Sequence, residues 1–131
     1  MGIISPPLSV AIVDDERSVR TSLTRLLRSS GIQAEAFSSG AGFSERLQTG
    51  CWQVVLLDIH IPGLTGFELL KLIREQRSEL CVIMITGYEG PDVKRRAFEA
   101  GAKGFLLKPF TFSELYEALQ TVCSNSTQIP A

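Results

Sequence analysis

The sequence predicts an α/β fold built on a five-stranded parallel sheet, and three observations carry that expectation. Short apolar runs alternate with segments of helical periodicity five times along the chain. The runs at 54–57 and 81–85 are continuous rather than alternating, as in strands buried on both faces of a parallel sheet. The connections are short and marked by Gly or Pro, as expected of successive βα units. A chain of 131 residues has room for one domain with a core of its own.

The first run, Leu8 to Val13, ends abruptly in Asp14-Asp15. Val19, Leu23, Leu26 and Leu27 then recur at i, i+4, i+7, i+8, which predicts a helix with that face inward, and Gly31 supplies its stop. Residues 33–37 (QAEAF) read as a weaker strand, placed nearer the sheet edge because Gln33 and Glu35 interrupt it. Ser38-Ser39-Gly40 leads into a short helix that carries Phe43 and Leu47 inward and ends at Gly50.

The third strand organises the chain. Trp52, Val54, Val55, Leu56 and Leu57 run straight into Asp58, and His60, Pro62 and Gly63 break the strand behind it. Thr65 and Glu68 then fit a capping box, in which hydroxyl and carboxylate satisfy backbone N–H groups of the first helical turn. Leu69, Leu70 and Ile73 continue that helix's buried face. The fourth strand, 81–85, leads into Thr86-Gly87. Pro91 suits the first position of a helix that runs to about Ala100 and stops at Gly101. A brief fifth strand, 104–107, gives way to Lys108-Pro109-Phe110. A second capping box, Thr111 to Glu114, starts a last helix with Leu115, Leu119 and Val122 inward, and Ser124 to Ala131 read as a linker or frayed end.

Five such units with right-handed crossovers fit the flavodoxin-like strand order 2-1-3-4-5, with helices on both faces. In that order strands 1, 3, 4 and 5 lie side by side, and their carboxyl ends carry Asp14-Asp15, Asp58, Thr86 and Lys108. Open α/β sheets bind ligands along that edge.

Charge and cysteine usage narrow the function classes. A net charge of -1 gives no overall attraction to nucleic acid or an anionic membrane, so DNA would have to be reached through a domain not present in this chain. Cys51, Cys81 and Cys123 are odd in number and lack a C-x-x-C spacing, which predicts free thiols in a reducing compartment. No apolar run approaches the ~18 residues of a membrane span, and the start, MGIISPP, lacks the features of a signal peptide. A cytoplasmic protein without a membrane partner is expected.

Singly, each edge residue has a plain explanation: helix capping for Asp14-Asp15, a turn for Asp58, a strand-end hydroxyl for Thr86, a solvated charge for Lys108. Together they are three carboxylates that would repel unless a cation sat among them, at roughly 4 kcal/mol per like-charge pair at ~4 Å and an effective dielectric of ~20. An all-oxygen, carboxylate-rich, partly open site suits Mg²⁺, whereas zinc is disfavoured because His60 is the one histidine and no thiol accompanies it. An Asp carboxylate beside Mg²⁺ can act as a nucleophile and become an aspartyl phosphate. Lys108 has the charge to neutralise phosphoryl oxygens and Thr86 the hydroxyl to hydrogen-bond one.

IVDDE at 12–16, LLDIHIPGLTG at 56–66, ITG at 85–87 and LKPF at 107–110 together resemble the receiver domain of two-component response regulators. The resemblance implies a receiver over residues 8–124, with 1–7 and 125–131 as tails or the start of a linker. It implies that Asp58 is the phosphoacceptor for a sensor histidine kinase. It further implies a Mg²⁺ site, open to Mn²⁺ as a substitute, formed by Asp14, Asp15, Asp58 and the backbone carbonyl of His60. Thr86 and Lys108 match the family's switch hydroxyl and phosphate-binding lysine, Phe105 its aromatic switch, and Lys108-Pro109 its cis peptide. His60 and Tyr88 occupy positions that in the family influence how long the phosphate survives.

By the same resemblance the output surface would be the fourth helix, fifth strand and fifth helix, with Lys94, Arg95 and Arg96 able to pair with a second copy in a phosphorylation-dependent homodimer. LKPF and GAKGF look most like the FixJ-type branch, whose receivers usually precede a DNA-binding domain, so transcription regulation is expected. The chain is expected to do no turnover chemistry beyond gaining and losing its own phosphoryl group. Two alternatives stay open: a free-standing receiver acting by protein contact, and a Mg²⁺-dependent phosphohydrolase. The latter usually carries an Asp two residues after its nucleophile, where this chain has His60.

Overall fold

The computed structural model describes residues 8–87 and 90–125. Five parallel strands form one sheet: β1 (Ser9–Val13), β2 (Gln33–Phe37), β3 (Val54–Asp58), β4 (Cys81–Thr86) and β5 (Gly104–Leu107). Their order is β2-β1-β3-β4-β5, as the alternation predicts. The helices between and after them are α1 (Arg17–Ser29), α2 (Gly40–Arg46), α3 (Gly66–Gln76), α4 (Pro91–Glu99) and α5 (Phe112–Asn125).

Because strand side chains alternate in direction, the central strands feed two cores. Val55 and Leu57 join Phe43, Leu47, Leu69, Leu70, Ile73 and Ala97 on the α2–α3–α4 side. Val54 and Leu56 join Leu23, Leu27, Leu115, Leu119 and Val122 on the α1–α5 side. Every residue of β3 and β4 is buried, and full burial of a Leu or Ile side chain is worth about 1.5–3 kcal/mol. The fixed register (Asp58 beside Ile85, Val13 beside Leu57) aligns the strand ends into one edge.

Helix ends follow the sequence signals. Both capping boxes form: Thr65 Oγ1 accepts from Glu68 N at 3.2 Å while Thr65 N donates to Glu68 Oε1 at 2.8 Å. Thr111 and Glu114 repeat the exchange at 2.8 and 3.1 Å. Gly31, with φ +81°, and Gly101, with φ +112°, adopt the left-handed conformation that ends a helix at little cost to glycine.

Three expectations need correcting. Leu26, expected inward, is 40% exposed; α1 turns Leu23 and Leu27 to the sheet and leaves Leu26 on the rim of a groove shared with Phe110 and Phe112. Trp52 packs in the core but precedes β3 rather than belonging to it. The last helix continues through Asn125, past the expected break at Ser124. All three cysteines are free thiols, Cys51 exposed and the others buried. No described helix is long and apolar enough to cross a membrane.

Candidate functional site

Asp14 follows the last residue of β1. Its N–H donates to Phe37 O at 3.1 Å, its Oδ1 accepts from Glu16 N at 2.9 Å, and Arg20 holds its carbonyl at 3.0 Å. These bonds fix a carboxylate with no solvent exposure at the edge of the sheet. Asp58 closes β3, 5% exposed, and its Oδ1 accepts from His60 N at 3.0 Å.

Lys108 joins the two carboxylates. Its N–H donates to Thr86 O at 2.7 Å, fastening the segment after β5 to the end of β4. Its Nζ then stands 3.1 Å from Asp58 Oδ2, 2.9 Å from Asp14 Oδ2 and 3.2 Å from Glu16 Oε1. The peptide to Pro109 is cis. Burial works against the ammonium, but the attraction of the Asp14 and Asp58 carboxylates outweighs it, so the amine is held above its ordinary range. Burial pushes the Asp58 carboxyl up; the His60 amide opposes this, Asp14 adds to it, and Lys108 opposes it. The net shift is upward.

One carboxylate oxygen from each of Asp14, Asp15 and Asp58 lies within 4.8 Å of the others. Asp14 Oδ2 is buried and makes no hydrogen bond; the Lys108 ammonium, 2.9 Å away, is its ion-pair partner. Three carboxylates facing one ammonium, with a buried acceptor left over, fit a hard divalent cation with oxygen ligands.

The structure therefore brings together Asp14, Asp15, Asp58 and Lys108, with His60 joined through its amide and Thr86 through its carbonyl. Thr86 is buried at 1% exposure. Phe105, beside Met84 on β5, is half-buried against the α2–α3–α4 core. Tyr88 lies outside the described residues. Two participants were not assigned from the sequence. Glu16 reaches Lys108 across 92 positions of sequence, and its place in the acidic run IVDDE was the available signal. Gly66 packs so tightly that a Cβ there would sit 2.7 Å from the Asp58 carbonyl oxygen; the signal was a glycine inside a capping box.

A family model described as the response regulator receiver domain matches residues 10–120. The transcriptional regulatory protein FixJ of Azorhizobium caulinodans is 33% identical over 124 residues, covering 92% of this chain and 57% of that protein. The DNA-binding transcriptional regulator NtrC of Escherichia coli K12 is 34% identical over 116 residues, covering 88% of this chain and 25% of that protein. The chain thus spans less than two thirds of either relative. Among solved structures, full-length FixJ from B. japonicum superposes with a TM-score of 0.87 at 28% identity, covering 95% of this chain and 61% of that one. A CheY-like receiver domain protein from Methanospirillum hungatei gives 0.86 at 24% identity, over 92% and 96% of the two chains, a likeness of fold.

Proposed function

The chain belongs to the response regulator receiver domain family, and from that premise we propose that Asp58 is where it receives a phosphoryl group from a sensor histidine kinase. The observation that carries this is Lys108 Nζ standing within 3.1 Å of both buried carboxylates, Asp14 and Asp58. An Asp58 carboxylate oxygen attacks the phosphorus of the donor phosphohistidine. A P–O bond forms as the P–N bond breaks, and the imidazole leaves with the electron pair. Lys108 offsets charge on the phosphoryl oxygens, and the Thr86 hydroxyl, at the end of β4, donates to one of them. Asp14, Asp15, Asp58 and the backbone carbonyl of His60 would hold Mg²⁺, or Mn²⁺ in its place. The cation, when bound, supplies further neutralisation of phosphoryl charge.

The added charge and acceptor oxygens draw Thr86 and the loop after β4 inward, and Phe105 turns into the space. The change is read on α4, β5 and α5, where Phe98 and Leu107 are 43% and 52% exposed. Those side chains, more than the α4 cations, suit a phosphorylation-dependent homodimer. Arg95 already pairs with Asp92 and Glu99, and Arg96 lies over the Phe67 ring. The names of the relatives support transcription regulation, with DNA reached through a further domain. A cytoplasmic location is consistent with such a kinase partner, and the chain's own chemistry is confined to gaining and losing one phosphoryl group.

Labelling with acetyl phosphate tests this. One acid-labile phosphoryl group per chain is expected, dependent on Mg²⁺ and absent from Asp58→Asn. Sustained turnover of small phosphoesters would instead indicate a phosphohydrolase.

A further inference from the structure

Beside the acidic site opens a cleft of about 570 Å³, lined by Asp15, His60 and Phe67 and by Val93 and Arg96 of α4. The Arg96 guanidinium carbon lies 4.7 Å from the centroid of the Phe67 ring, within the range of a cation–π contact. Its neighbour Arg95 pairs with two carboxylates, but Arg96 makes no ion pair among the described residues. The aromatic face is its partner.

The two ends of this contact are anchored very differently. Phe67 is the second residue of α3, and the start of α3 is fastened to the acceptor. Gly66 N donates to Ile59 O at 3.0 Å, and the close approach of Gly66 to the Asp58 carbonyl leaves no room for a Cβ. The capping box pins the same turn from the other side. On α4, by contrast, Ala97 is the one buried residue, and the N-cap Gly90 contributes no side-chain bond. A single tether of modest strength therefore matters to α4, whereas it would be negligible on α3.

We propose that Phe67 and Arg96 form a latch that holds α4 in its unphosphorylated position and reports the state of Asp58 to it, alongside the Thr86–Phe105 route. The proposal rests on the receiver function above. The amide of His60 donates to Asp58 Oδ1, so a phosphoryl group competing for that donor shifts the β3–α3 loop and carries the Phe67 ring with it. The guanidinium then loses its aromatic partner, and α4 loses one of its few restraints. Coupling of this kind is reciprocal: a contact that favours the unphosphorylated arrangement lowers affinity for a phosphoryl mimic by the same factor.

The test is binding of beryllofluoride with Mg²⁺, measured by titration calorimetry on the intact chain. Arg96→Ala is expected to bind about two- to fivefold tighter, the size of an exposed cation–π contact. Phe67→Leu keeps the apolar bulk and should match it. The double variant should gain no more than either single one, since both remove the same contact. Unchanged or weaker affinity in the single variants overturns the latch, as does a double variant whose effects multiply, whatever the variants do to stability. If the wild-type chain takes up no beryllofluoride, the receiver function falls and the latch with it; normal wild-type binding with unaltered variants overturns the latch alone.

Discussion

At the carboxyl edge of the sheet two nearly buried carboxylates face each other, with one ammonium between them and one oxygen without a hydrogen bond. At the amino edge the Arg77 guanidinium is matched on every side. Arg77 Nη1 donates to Leu47 O at 2.8 Å and Gly50 O at 2.9 Å, while its Nε pairs with Glu79 at 2.6 Å, holding that carboxyl below its usual range. The thiols there, Cys81 and Cys123, are pushed up by burial and stay neutral. One edge is built to be stable and the other to be reactive, and the buried strands between them let a single domain carry both.

The largest expected effect lies at the matched edge. Arg77→Ala strands two carbonyls that accept from a charged donor, at about 1.5–3 kcal/mol for such a bond. A loss of about 3 kcal/mol in urea unfolding is expected, with acetyl phosphate labelling of the folded fraction unchanged. A loss under about 0.5 kcal/mol would erase the contrast. At the reactive edge, Gly66→Ala forces a Cβ to within 2.6 Å of Ile59 Cα, and overpacking of that kind costs about 1–3 kcal/mol. Here the labelling rate should fall along with stability, because the displaced backbone carries Asp58.

Asp58→Asn should act in the opposite direction. The folded Asp58 carboxyl is raised above 3.8, so between that value and its folded pKa the native state binds more protons than the unfolded state. Stability therefore falls as pH rises through the window, and at neutral pH the ionised side chain is a cost. In the presence of EDTA, Asp58→Asn is expected to raise the urea midpoint at pH 7, with the gain shrinking below about pH 4. A lowered midpoint at pH 7 would mean that the carboxylate stabilises the fold instead. Cys123 gives the smallest effect, at the other edge. Its thiol is raised from 9.0 to about 11, so native stability falls as pH climbs through that interval. Cys123→Val should flatten that part of the profile.

What the sequence made legible follows the same division. The strands, their order, both capping boxes and the residues converging on the carboxyl edge follow from local signals: continuous apolar runs, S/T-x-x-E spacing and acids at strand ends. Residues with a distant partner and no motif to mark them were not legible. Glu16 meets a lysine 92 positions away, Arg77 meets carbonyls 27 and 30 positions back, and Arg96 is committed to a ring in another helix. Leu26 fits the helical stripe but lies on the rim of the groove beside Phe110 and Phe112, and periodicity carries no information about how wide a face is covered.

Reduction of the acetyl phosphate-treated protein with borohydride, followed by peptide sequencing by mass spectrometry, tests the central claim most directly, because an acyl phosphate is reduced at the carbon that bore it. Homoserine in place of the aspartate at position 58, and only there, is the predicted result. Homoserine at position 14 or 15, or an unmodified position 58 in protein that carries label, would contradict it.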